Sequence, residues 1–141
     1  MSQILLIEDN VNHREDLSEI LTLNGYQVST ASNGKTGVEK ALKEKPDLII
    51  CDVMMPELDG FGVLHILGNH HKTADIPFIY LSAKSEQEDF RRGMSLGADD
   101  YIIKPYDVTH LLQTIERRLQ KSVRLKNAAS NSSFEGFVNE A

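Results

Sequence analysis

The sequence predicts an α/β protein: a parallel sheet of five strands with helices on both faces. Three observations carry that expectation. Four short apolar runs rich in branched residues recur along the chain, each stopping at a polar residue. They are Ile4-Leu5-Leu6-Ile7 before Glu8-Asp9, Leu48-Ile49-Ile50-Cys51 before Asp52, Phe78-Ile79-Tyr80-Leu81 before Ser82, and Tyr101-Ile102-Ile103 before Lys104. Runs of this kind, without polar alternation, read as parallel strands buried on both faces. The segments between them have helical spacing, and strands that alternate with helices imply a parallel sheet with crossovers on both sides.

Taken in order, the first strand leads to a helix opened by Asn12 and Glu15 as a capping box ahead of Leu17, Ile20 and Leu21, and stopped at Asn24-Gly25. Tyr26 to Thr30 alternates as a second strand. Asn33-Gly34 turns the chain into a helix carrying Val38, Ala41 and Leu42, closed before Pro46. The third strand ends at Asp52. The turn-rich stretch Val53 to Gly60 then leads to a helix with Phe61, Leu64 and Leu67 on one side. After the fourth strand, Ser85 with Glu88 forms a second capping box, for a helix that carries Phe90 and Met94 and stops at Gly97. The last helix takes Asp107 as its N-cap, and Val108, Leu111, Leu112, Ile115 and Leu119 form its apolar stripe. From Ser122 the character changes: Ala128 to Ser133 is small and polar, like a linker, followed by Phe134, Phe137 and Val138 at helical spacing. The expected organisation is one domain over residues 1–121, with 122–141 as a tail or a linker to an effector domain beyond this chain.

Composition narrows the function. With 141 residues, 40% of them hydrophobic, the chain suits one core. A net charge of −6 without a long basic block argues against phosphate-backbone binding by this segment and suits a cation or a basic partner. The lone Cys51 lies inside an apolar run and reads as a reduced core residue. No apolar stretch approaches the roughly 18 residues a membrane span needs, so a cytoplasmic location is expected.

Parallel strands end at one edge of their sheet, and ligand sites of open α/β sheets lie outside those ends. Glu8, Asp9, Asp52, Ser82 and Lys104 are therefore expected to gather. Three converging carboxylates call for protons or a cation, and a hard divalent ion such as Mg²⁺ takes oxygen ligands of this kind. An amine, a hydroxyl and a metal around a carboxylate match the needs of phosphoryl transfer, with the carboxylate as nucleophile. Each residue alone has a plainer reading, as a turn, a loop hydroxyl or a helix-start charge. His65, His70 and His71 read as a solvated loop rather than a metal site, because adjacent histidines cannot share a helix face. Arg117, Arg118, Lys121 and Arg124 read as a solvated face suited to the end of the last helix.

Glu8-Asp9, the stretch Asp52-Val53-Met54-Met55-Pro56 with Asp59-Gly60, Leu81-Ser82-Ala83, and Tyr101 ahead of Lys104-Pro105 together resemble the receiver domain of bacterial two-component response regulators, the CheY-like fold, over about residues 3 to 121. The resemblance implies a flavodoxin-like (βα)5 three-layer sandwich with strand order 2-1-3-4-5 and a phosphorylation-activated signalling switch rather than an enzyme acting on a separate substrate. It implies that Asp52 accepts a phosphoryl group from a sensor histidine kinase or phosphotransfer protein, and that Glu8, Asp9 and Asp52 hold Mg²⁺ with the backbone carbonyl of Met54. It further implies that Ser82 and Lys104 bind phosphoryl oxygens, that Tyr101 is the switch aromatic coupled to Ser82, and that the Lys104-Pro105 peptide is cis. The fourth helix, fifth strand and fifth helix would form the readout face, and a homodimer is among the expected partner states. Glu8 departs from the more frequent Asp, Ser82 stands where Thr is also common, and Met54 and Lys84 occupy variable flanking positions. A metal-dependent phosphatase of haloacid-dehalogenase type is the main rival, but that group places a second acid two residues after its nucleophile, where this chain has Met54. A flavin-binding module is disfavoured by Glu8-Asp9, which would repel a flavin phosphate. Output, as a stand-alone adaptor or the regulatory part of a transcription regulator, is open at this point.

Overall fold

In a computed structural model of the chain, residues 1–140 are described, with side chains as far as residue 127. Strands and helices alternate: β1 (Gln3–Ile7), α1 (Val11–Leu23), β2 (Gln27–Ala31), α2 (Gly34–Glu44), β3 (Leu48–Cys51), α3 (Gly60–Gly68), β4 (Phe78–Ser82), α4 (Gln87–Ser95), β5 (Asp100–Ile103) and α5 (Val108–Glu140). All strand pairs are parallel, in the order β2-β1-β3-β4-β5.

The pleat explains why the apolar runs are continuous. Along β1, Leu5 and Ile7 enter one core layer with Ile49, Cys51, Phe78 and Tyr80, packed under α2 and α3 through Ala41, Phe61, Val63 and Leu67. Ile4 and Leu6 enter the opposite layer with Ile50, Ile79 and Leu81, closed by Leu17 and Leu21 of α1 and Leu111 and Ile115 of α5. Ile4–Ile7 of β1 and every residue of β3 and β4 therefore bury against helices whichever way they point.

Helix boundaries differ from the sequence reading where side-chain caps compete. The N-cap of α1 is Asn10, whose side chain accepts from the His13 N–H; Asn12 and Glu15 lie inside the helix and form no capping box. Asn33 is likewise the N-cap of α2, so Asn33-Gly34 starts a helix directly rather than forming a separate turn. No side chain caps α4, which begins after Glu86, so the Ser85–Glu88 box is absent. Asp107 does cap α5, accepting from the His110 N–H at 3.1 Å.

Helix α5 continues through the Ala128–Ser133 stretch to Glu140. The linker-like composition is thus carried on helical backbone, and Phe134, Phe137 and Val138 fall on that helix with side chains outside the described residues, as is Ala141 altogether. Arg117, Arg118, Lys121 and Arg124 consequently sit mid-helix, far from the C-terminal dipole. Arg118 has a specific partner instead, Asp100 at the start of β5.

Candidate functional site

Register decides which polar residues meet. Ile7 pairs with Cys51, so Glu8 and Asp52 leave the sheet side by side, at the point where the chain turns out to opposite edges. Ser82 pairs with Ile103, which places Lys104 immediately beyond it; the Lys104 N–H donates to the Ser82 carbonyl at 2.8 Å. The five residues expected at this edge are all there.

The phosphoacceptor candidate is held from its own loop. The Met54 N–H donates to Asp52 Oδ1 at 3.0 Å, and Gly60 at the start of α3 lies flat against the Asp52 backbone. A Cβ at position 60 would stand 2.3 Å from the Asp52 carbonyl oxygen, so the loop closes this tightly only on glycine. Asp59, the N-cap of α3, fixes that turn by accepting from the Gly62 N–H. Glu8 and Asp52 are buried, Asp9 is exposed, and ligand oxygens of the three lie within 4.8 Å of one another.

Lys104 reaches into this cluster across a cis Lys104-Pro105 peptide. Its ammonium donates to Glu8 Oε1 at 2.6 Å and to Asp52 Oδ2 at 2.9 Å. Burial alone would lower the lysine pKa, but hydrogen bonds to the two carboxylates outweigh it and raise the value above the usual one. Glu8 moves the same way for a different reason: burial and the nearby Asp52 raise its pKa against the opposing pull of Lys104. One ammonium does not neutralise this many carboxylates. Glu8 Oε2 is moreover buried with no hydrogen-bond partner, an orphaned anionic atom that a divalent cation would satisfy. The donor set, all oxygen, fits a hard ion.

On the other side of Lys104 lie Ser82 and the loop to α4. Ser82 is fully buried, and its Oγ accepts from the Lys84 N–H at 3.1 Å. Tyr101 points inward, and its hydroxyl donates to the Lys84 carbonyl at 2.8 Å. Both polar groups of the Lys84 backbone are thus held, one by the site hydroxyl and one by the candidate switch aromatic. The Lys84 side chain turns away to Asp89 at 3.7 Å.

Three contributors escaped the sequence reading. His13 Nδ1 lies 3.2 Å from the Lys104 ammonium and 3.3 Å from Glu8 Oε1. Arg14 donates to the Glu8 carbonyl at 2.9 Å. Tyr80, buried under Tyr101, donates from its hydroxyl to the Gly60 carbonyl at 2.8 Å and braces the turn after Asp52. The helical position of His13, one turn after Glu8-Asp9, was the available signal; Tyr80 gave none, since an aromatic in an apolar strand reads as core. His70 and His71 stack on each other after α3, and the Lys72 N–H donates to His70 Nδ1.

Known proteins resemble this chain in sequence and fold. The family described as response regulator receiver domain matches residues 4–116. The probable transcriptional regulator ycf27 of Cyanidium caldarium is 44% identical over 127 residues, which cover 87% of this chain and 50% of that protein. The DNA-binding dual master transcriptional regulator RpaA of Synechocystis sp. is 38% identical over 132 residues, covering 94% of this chain and 55% of that protein. The chain thus spans about half the length of these curated relatives. Among solved structures, the receiver domain of sensor histidine kinase PA1611 from Pseudomonas aeruginosa superposes with a TM-score of 0.79 at 28% identity, covering 84% of this chain and 98% of that one; it holds a magnesium ion coordinated in its active site cleft.

Proposed function

The chain belongs to the response regulator receiver domain family, and from that premise we propose that Asp52 is its phosphoacceptor, charged by a sensor histidine kinase or phosphotransfer protein. The observation that carries this reading is the Lys104 ammonium seated on Asp52 beside an acidic cluster with an unpaired buried oxygen. An Asp52 carboxylate oxygen attacks the phosphorus of the donor, the bond to the donor's leaving group breaks, and an aspartyl phosphate forms. Lys104 neutralises phosphoryl oxygen charge in that transfer, and the Ser82 hydroxyl donates to another oxygen once the loop after β4 closes. Glu8, Asp9, Asp52 and the Met54 carbonyl would hold Mg²⁺, which supplies charge stabilisation and orientation when bound. The family assignment sets the phosphatase rival aside.

Readout follows from Lys84. Drawing Ser82 onto the phosphoryl group releases the Lys84 N–H, while Tyr101 keeps its carbonyl, so the loop and α4 re-seat against β5. Phe90, Met94 and Ile103 are exposed on this face and are the surface that changes. The relatives are named as transcription regulators, which supports an effector domain reached through α5, with residues 1–121 as the receiver and 122–141 as the connection. No described helix is long and apolar enough to cross a membrane, which accords with a cytoplasmic regulator.

Incubation with acetyl phosphate and Mg²⁺ should label the wild-type protein with one phosphoryl group, labile to hydroxylamine. Asp52→Asn should remain unlabelled; equal labelling of both would overturn the assignment. An amide spectrum of the α4–β5–α5 face that is identical with and without beryllofluoride would overturn the readout.

A further inference from the structure

We propose that His13 is a positioning residue for phosphoryl transfer: its imidazole accepts the third hydrogen bond of the Lys104 ammonium and fixes that cation over Asp52. The inference rests on the reading of Asp52 as phosphoacceptor and goes beyond it in assigning a residue of α1 to the reaction. An ammonium carries three N–H donors. Here three acceptors surround it: Glu8 Oε1 at 2.6 Å, Asp52 Oδ2 at 2.9 Å and His13 Nδ1 at 3.2 Å. All three donors are thereby used.

The tautomer follows from the neighbours. Nδ1 faces two groups, the Lys104 ammonium at 3.2 Å and Glu8 Oε1 at 3.3 Å, and because Oε1 already accepts from Lys104 at 2.6 Å, the ammonium donor left over is matched by a bare Nδ1 with the proton on Nε2. Helix geometry fixes the backbone from which the ring projects, because the Asn10 side chain caps α1 on the N–H of His13 itself. The ring stands at the mouth of a cleft of about 550 Å³ between α1 and the connection from β5 to α5, more than half exposed, with Glu8, Lys104 and Pro105 behind it.

The consequence concerns what must move. When Asp52 takes up a phosphoryl group, the Lys104 donor now on Asp52 turns to a phosphoryl oxygen. The other two donors stay anchored, one on Glu8 and one on His13. Without the imidazole, one ammonium donor is left to water and the lysine arm gains freedom at the moment its charge is needed.

Acetyl phosphate labelling under saturating Mg²⁺ tests this with wild type, His13→Leu and His13→Asn. Leucine keeps bulk and removes the acceptor; asparagine keeps an acceptor oxygen near the place of Nδ1. The expected result is a maximal labelling rate about ten-fold lower for His13→Leu, and His13→Asn within about three-fold of wild type, at similar half-saturating donor concentrations. Urea midpoints should match, because the side chain is exposed. A His13→Leu rate within about three-fold of wild type, or a His13→Asn rate as low as that of leucine, would overturn the proposal. So would imidazole ¹⁵N shifts placing the proton of His13 on Nδ1. Failure of the wild type itself to label would instead sink the assignment of Asp52, so the two failures are distinguishable.

Discussion

At the scale of single residues, two close approaches set how α4 lies against the aromatic column. A Cβ at Gly93 would stand 3.0 Å from the Tyr101 ring and 3.1 Å from the Tyr80 ring, tight enough that a ring must give by a few tenths of an ångström. Gly93→Ala should therefore displace the Tyr101 ring slightly and destabilise the fold, the overpacking cost of about 1–3 kcal/mol being offset in part by the roughly 1 kcal/mol that alanine gains over glycine inside a helix. Urea titration checks the cost, and loss of the Tyr101 amide and ring shifts of the parent checks the displacement. An unchanged midpoint with unchanged Tyr101 shifts would show that α4 absorbs the methyl freely. Cys51 offers a second test at this scale. Burial, reinforced by Asp52, pushes its thiol pKa well above the usual value, and the group is fully enclosed. A thiol reagent at pH 8 should leave the native protein unmodified over a period in which the urea-unfolded chain reacts completely.

Elements were legible from sequence to the degree that burial, rather than capping, defined them. The strand runs ended where parallel register ends them, and Asp52, Ser82 and Lys104 could be placed because each directly follows such a run. Helix starts were less legible, since Asn10, Asn12 and Ser85 are chemically equal candidates and only the path of the preceding loop selects among them. The extent of α5 was hidden for a related reason: small polar residues are weak helix formers but do not prevent helix continuation, and composition alone read them as a linker. His13 escaped because its partner, Lys104, is 91 positions away and joins it only through the fold. Caps that are present should show their worth individually. Asp59→Ala removes the bond to the Gly62 N–H at the start of α3 and should cost about 1 kcal/mol of stability, read from urea unfolding. Because α3 begins against the Asp52 backbone, the same variant should also slow labelling by acetyl phosphate, and a normal rate would show that Gly60 alone holds the turn.

For the whole molecule, the acidic site sets stability against function. Glu8, Asp9 and Asp52 crowd one strand edge where, among the described residues, Lys104 is the one cation in contact with two of them and Glu8 Oε2 has no partner. Burial holds the Glu8 pKa above its ordinary 4.5. A group whose native pKa is raised contributes stability that is fully present below the unfolded value and is lost as pH climbs through the native one, so at pH 7 ionised Glu8 costs the metal-free fold stability. Glu8→Gln should consequently raise the metal-free urea midpoint at pH 7, and the advantage should vanish below about pH 4, where both proteins carry a neutral side chain. Mg²⁺ should reverse the order. A ligand that binds only the native state stabilises it by about 2.7 kcal/mol at a free concentration 100 times its dissociation constant, and the variant, short of one carboxylate, should gain less at equal Mg²⁺. Chelation with EDTA should restore the metal-free ranking. If Glu8→Gln were the less stable protein without metal at pH 7, the ion pair with Lys104 would outweigh the crowding, and the acids would be a structural asset rather than a site kept open for a cation.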